Sequence, residues 1–362
     1  MRIAKPIFVL AILSPLVALC CLGRASDGTV KEPDNFFRQY VGLTDDQISA
    51  IHKGKAIARI VESPRPGEVF VFGAVHVDAT PESYLKFAAD LDRLRKLPDY
   101  LAIRKFSDPP TLADLDGFTL EDEDVKQLRD CRPGKCEVQL PADVMEEFQK
   151  SIDWSAPDVD DRVNHTAQQL ALRALQAYIS AGNDALGTYE DKQHPAEVSK
   201  AFEDLMDRSK ALPVYLPELD RYLLDYPKAT LPDAQSQIYW EKVNFGLKPT
   251  LRIVQAIVYR GSSPTEPAYA VAVKQLYASH YFQAALDMTV CVRDQAPEDA
   301  QSRGATGKPG FFLITMKGSQ QAGLTGFKGG IVRKVAVDRT RSSLERGLAA
   351  IKMQLESQGQ AQ

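Results

Sequence analysis

The chain has 362 residues, of which 44% are hydrophobic and 25% charged, with a formal net charge of −4. These values sit near globular averages and exclude a disordered chain or a polytopic membrane protein. The acidic balance and the lack of a basic patch argue against nucleic acid as a partner.

Residues 1–25 read as a secretory signal. Arg2 and Lys5 give a positive start, residues 7–22 form an apolar core, and Gly23-Arg24-Ala25 supplies small residues ahead of a cleavage point after Ala25. The apolar run is barely long enough for a membrane span, and Pro15 interrupts it. A lipid-anchored reading of Cys20-Cys21 fails because no small residue precedes either cysteine. The expectation is an exported protein, periplasmic or secreted, with no stable membrane span after signal cleavage.

Residues 26–53 are expected to form an N-terminal helical segment, with Thr44 capping the stretch DDQISAIHKG and Gly54 ending it. Residues 54–108 open a sheet domain. Strands are expected over 55–62 and 68–77 around the turn-rich SPRPG. A helix follows, with Thr80 as cap, Pro81 at its first position and Tyr84, Phe87, Leu91 and Leu94 as its buried stripe. After Pro98 the chain returns as a strand over 100–106.

Residues 109–247 change character and read as an inserted helical subdomain. Helices are expected over 120–128, 142–152, 160–186 and 196–209, with PELDRYLLDYP and IYWEKVNFG as shorter pieces. Cys131 and Cys136 flank a Pro-Gly turn that brings their sulfurs near each other. In an oxidising compartment they would form a disulfide worth about 2 kcal/mol, the alternatives being free thiols or half of a metal site. No second Cys/His pair stands at zinc spacing, so no metal is expected. Cys291, in the strand MTVCV, reads as a buried small hydrophobe.

Residues 248–358 complete the sheet domain. Strands are expected over 250–260, 268–278, 281–293 and 310–317, antiparallel because no helix intervenes for parallel crossovers. Residues 295–309 read as an exposed loop. A long helix then closes the chain, with Leu344, Leu348, Ile351 and Leu355 on one stripe and Phe327, Ile331 and Val335 continuing it. On the strand 281–293 the apolar face of Phe282, Ala284, Leu286, Met288, Val290 and Val292 is expected to meet that helix.

The stretch VFVFGAVHVDATPESYLKFAADLDRLRKLPDYLAIRKFS, a strand running into an Ala-x-Pro-Glu helix start and back to strand, resembles the opening of START-like (SRPBCC, helix-grip) domains. Antiparallel strands followed by one long helix are similar to that superfamily's close. The resemblance covers about half the mature chain. It implies an α+β fold with a curved antiparallel sheet gripped by the C-terminal helix, and between them a cavity for a hydrophobic small molecule or lipid. Under that expectation Phe72, His76, Arg252, Tyr259, Lys274, Tyr277, Phe327 and Ile331 are the candidate ligand-binding residues.

Catalytic motifs are missing from the sequence. The five histidines form no metal pair, and there is no Gly-x-Ser-x-Gly elbow or Cys/His nucleophile pair. His280, between Tyr277 and Tyr281, reads as structural. The glycines from Gly323 to Gly330 lack the Lys-Ser/Thr ending of a phosphate loop. The first reading is therefore a non-enzymatic, cofactor-free binder of a lipid-like molecule. A cyclase or hydrolase using His76, and an envelope interaction protein using the helical block, are the alternatives.

Overall fold

Glu68–Val77 (β2) is buried along its whole length. Successive strand residues point to opposite faces, so its two sets of side chains need separate partners. Val75 and Val77 pack with Leu348 and Leu355 of the terminal helix Gly326–Gly359 (α10), and Val69 and Val71 with Val337. Phe72 and Ala74 pack instead with Phe37, Ile48 and Ile51 from the N-terminal helices Pro33–Phe36 (α1) and Asp45–His52 (α2) and the π-helical turn Phe37–Val41. Thr44 caps α2 as its sequence indicates: its hydroxyl accepts from Gln47 N, and Thr44 N donates to Gln47 Oε1.

This computed structural model describes residues 33–65, 67–96, 99–209, 215–232, 234–244, 248–261, 267–294, 310–321 and 326–359, with α10 side chains from 337 to 358. Residues 1–25, read as a signal, residues 295–309, read as a loop, Gly323 and the side chains of Phe327, Ile331 and Val335 lie outside the described residues.

The fold is α+β. The other strands of the main sheet are Ile57–Val61 (β1), Tyr100–Lys105 (β3), Gln235–Val243 (β6), Thr250–Arg260 (β7), Tyr269–Ala278 (β8), Phe282–Arg293 (β9) and Phe311–Gln321 (β10). They form one antiparallel sheet in the order β1-β2-β10-β9-β8-β7-β6-β3. Thr188–Tyr189 (β4) and Ala196–Glu197 (β5) make a separate small pair. The helix α10 lies over β1 and β2, towards one edge of the sheet. Its approach is close: a Cβ on Gly73 would come within 2.7 Å of Leu348 and 2.9 Å of Leu344.

Pro81–Ala88 (α3) and Leu91–Arg95 (α4) connect β2 to β3, with Tyr84 and Phe87 packed beside Phe311 and Cys291. The block between β3 and β6 holds Asp122–Leu128 (α5), Ala142–Ser151 (α6), Val159–Ala181 (α7), Val198–Arg208 (α8) and Pro217–Asp225 (α9). It covers the sheet face opposite α10. It is an excursion from a single antiparallel pair, because β3 pairs directly with β6 and Phe106 N donates to Ile238 O at 2.9 Å.

The helix expected after Thr80 is broken into α3 and α4, and the Thr80 side chain makes no cap hydrogen bond; two expectations about the sheet also need correction. The stretch IYWEKVNFG is not a helical piece, since residues 238–243 belong to β6. Its Ile238 and Trp240 alternate with Tyr239 and Glu241, and Trp240 is buried against Leu115 and Phe118 of the block. The apolar face of β9 meets the inserted helices rather than the terminal one: Ala284, Leu286 and Met288 pack with Phe202 and Leu205 of α8. The register decides this, and it placed Cys291 on the α10 side instead.

Candidate functional site

An apolar cavity of about 140 Å³, open on one side, lies between the inserted helices and the sheet. Its floor is Leu251 and Ile253 of β7 with Leu276 and Tyr277 of β8. One wall is α7, which contributes Ala167, Leu170, Ala171, Ala174, Leu175 and Tyr178. These follow steps of three, one, three, one and three, a single face of a 3.6-residue helix. The opposite wall comes from Phe118 and Leu120 before α5, Leu128 within it, Val138 and Leu140 after the Cys131–Cys136 loop, and Val144 and Phe148 of α6. Cys131 and Cys136 stand at disulfide distance, with an S–S separation of 1.99 Å, and pack into the same apolar cluster. Ala174 is exposed on its outer side, so the small residues of α7 form part of the mouth. Arg173 and Glu147 join α7 to α6 at 2.6 Å beside it.

Three phenols contribute to the lining. Tyr178 Oη donates to Gln255 Oε1 at 2.6 Å, and Tyr189 Oη accepts from Ala278 N at 3.1 Å. Burial pushes both hydroxyls above the usual phenol range. Tyr277, with its ring 6.2 Å from that of Tyr189, is also pushed up, by burial first and then by Tyr189 and the carboxylates of Asp124 and Asp191.

Behind this end of the cavity is a buried polar knot. His280 Nε2 lies 2.9 Å from Asp124 Oδ2, its Nδ1 lies 3.1 Å from Glu137 O, and Lys248 Nζ pairs with Asp124 Oδ1. Burial alone would raise the Asp124 carboxyl, but the bonds from His280 and Lys248 hold it below the usual range. Each His280 nitrogen faces a protein acceptor, and the ring ties the β8–β9 turn to α5 as a structural group.

The structure separates the residues expected to bind ligand. Tyr277 alone of the eight is on the cavity wall among the described residues. Phe72 and His76 are on β2, three strand positions from β8, and Phe72 is filled in by Phe36 and Phe37. His76 is held between Asp78 at 3.3 Å and Asp294 at 3.1 Å, while its carbonyl accepts from Lys352 of α10. Arg252 falls between the lining residues Leu251 and Ile253 and so points to the other face, where it meets Glu241 at 3.0 Å. Tyr259 is packed near α9, 3.3 Å from Glu218. Lys274 points towards the insertion beside Tyr178, and its strand partner is Gln255. Its amine bonds Asn183 Oδ1 and sits 4.3 Å above the Phe202 ring and 5.3 Å from that of Tyr178. Burial lowers it to about 7.

The apolar cavity described above lies on the sheet face opposite the terminal helix. The α7 stripe was the signal for it: three alanines share one helical face with larger apolar residues, leaving room that bulkier side chains would close. No helix among the described residues is long and apolar enough to cross a membrane, and no cluster of His, Cys, Asp and Glu among them could hold a metal ion.

No protein-family model, curated protein or solved structure matches this chain.

Proposed function

We propose that this protein is an exported binder of an apolar small molecule, which it holds in the cavity beneath the inserted helices. The single observation that carries the reading is a cavity of about 140 Å³ walled almost wholly by aliphatic and aromatic side chains. Its apolar lining is left facing solvent, at a cost of roughly 25 cal/mol per Å². A bound apolar molecule offsets this cost, and apolar concavities with a few polar groups are the usual form of small-molecule sites. The antiparallel sheet and long terminal helix are the elements a START-like reading calls for, and the cavity lies on the face that the insertion covers. Export is supported by the N-terminal pattern of residues 1–25 and by the Cys131–Cys136 pair.

A thermal-shift titration with single-ring aromatics, short alkanes and fatty acids tests the reading. Some members are expected to raise Tm saturably, and Ala171→Phe, which fills the cavity from the α7 side, is expected to remove the effect. A panel in which no member raises Tm sinks the proposal.

A further inference from the structure

The cavity is small for a lipid. Drug-sized ligands occupy pockets of roughly 300–1,000 Å³, against about 140 Å³ here. An apolar cavity of roughly 150 Å³ lined by Leu, Ile and Phe stays dry and takes up benzene. The rings of Phe118, Phe148 and Tyr277 lie on the walls, so an aromatic guest has partners for edge-to-face contact.

The polar atoms narrow the choice. Tyr178 and Tyr189 have their hydroxyls committed to Gln255 and Ala278. Among the described residues, the Tyr277 hydroxyl is the lining phenol with no protein hydrogen-bond partner. It lies in the field of the Asp124 and Asp191 carboxylates. No cation lines the cavity among the described residues. An anionic guest would be desolvated without compensation.

Resting on the binding reading above, we infer that the ligand is a neutral single-ring aromatic molecule with one hydrogen-bonding atom, such as a phenolic hydroxyl, which Tyr277 engages. The ring fills the space against α7, and the polar atom faces the β8 end of the floor. Charged and long-chain molecules are rejected for different reasons, the first by lack of a counter-charge and the second by lack of length.

Calorimetric titration of the purified protein with p-cresol, toluene, benzoate and decanoate separates the possibilities. Binding is expected to be tightest for p-cresol, weaker for toluene and undetectable for the two carboxylates. Tyr277→Phe should weaken p-cresol by up to about tenfold, the worth of one hydrogen bond, and leave toluene unchanged. Ala174→Phe, at a partly exposed position of the mouth, should abolish both while keeping the parent circular dichroism. Decanoate binding without p-cresol overturns the inference and leaves the apolar-binder reading standing. Benzoate equal to p-cresol overturns the neutral character. A Tyr277→Phe variant that binds p-cresol as the parent does overturns the role of Tyr277. If none of the four binds and the wider thermal-shift panel also fails, both readings fall.

Discussion

Lys274 carries an amine into the core. It is fully buried, its amine bonds the Asn183 amide oxygen, and its nearest rings are Phe202 and Tyr178. Removal from water lowers it from the ordinary 10.5 to about 7. Between those two values the unfolded chain holds a proton that the folded chain lacks. Stability therefore falls as pH drops from 10.5 to about 7, is constant in this respect below that, and rises with pH across the window. Lys274→Met is expected to remove this slope and to stabilise the protein at pH 7, by a few kcal/mol at most. Urea melts of parent and variant at several pH values measure the difference; two curves that stay parallel from pH 7 to 10 would contradict it. The sequence reading placed Lys274 and Arg252 together as candidate ligand-binding residues on neighbouring strands. Alternation then sent Arg252 to Glu241 on one face and Lys274 towards Asn183 on the other. The charge was legible, but the face depended on a register that no local pattern carries, and a bulge between Ile253 and Val254 shifts it further.

Among the elements, α10 was the most legible. Leu348 and Leu355 are buried and Leu344 packs beside them, as the steps of four and three require. Less visible was where the helix would lie, because that depends on Gly73. The helix fits over β2 only where a side chain is missing from the strand. Gly73→Val is expected to push α10 away from β2 and to destabilise the protein by about 1–3 kcal/mol, the usual cost of overpacking. Limited proteolysis should then cut within α10 earlier than in the parent, and unchanged protection would count against the close-approach account. The cavity was illegible for a different reason. Its walls come from residues 118–148, 167–189 and 251–277, three separated segments whose meeting is a long-range event. The disulfide pair was readable from a turn of four residues, since its closure is local.

At the scale of the whole molecule, the helical block and the sheet share one core. Leu115, Phe118 and Phe148 from the block belong to the same cluster as Trp240, Leu251 and Ile253 from the strands. Phe202 and Leu205 join Ile257, Leu286 and Met288 in a second. The division of the chain into a sheet domain and an insertion therefore describes its path rather than its energetics. Unfolding is expected as one cooperative transition, with calorimetric and van't Hoff enthalpies equal. Two resolved heat-absorption peaks would show that the block melts independently and that its contacts with the sheet are weaker than their burial indicates.

The Phe106–Ile238 hydrogen bond gives the block a narrow doorway. The chain leaves the sheet and re-enters it through neighbouring strands, as it would around an ordinary hairpin turn. Lengthening, shortening or exchanging everything beyond that threshold alters the lid over one face while the strand order stays as it is. A scaffold of this kind can change its guest by trading roofs.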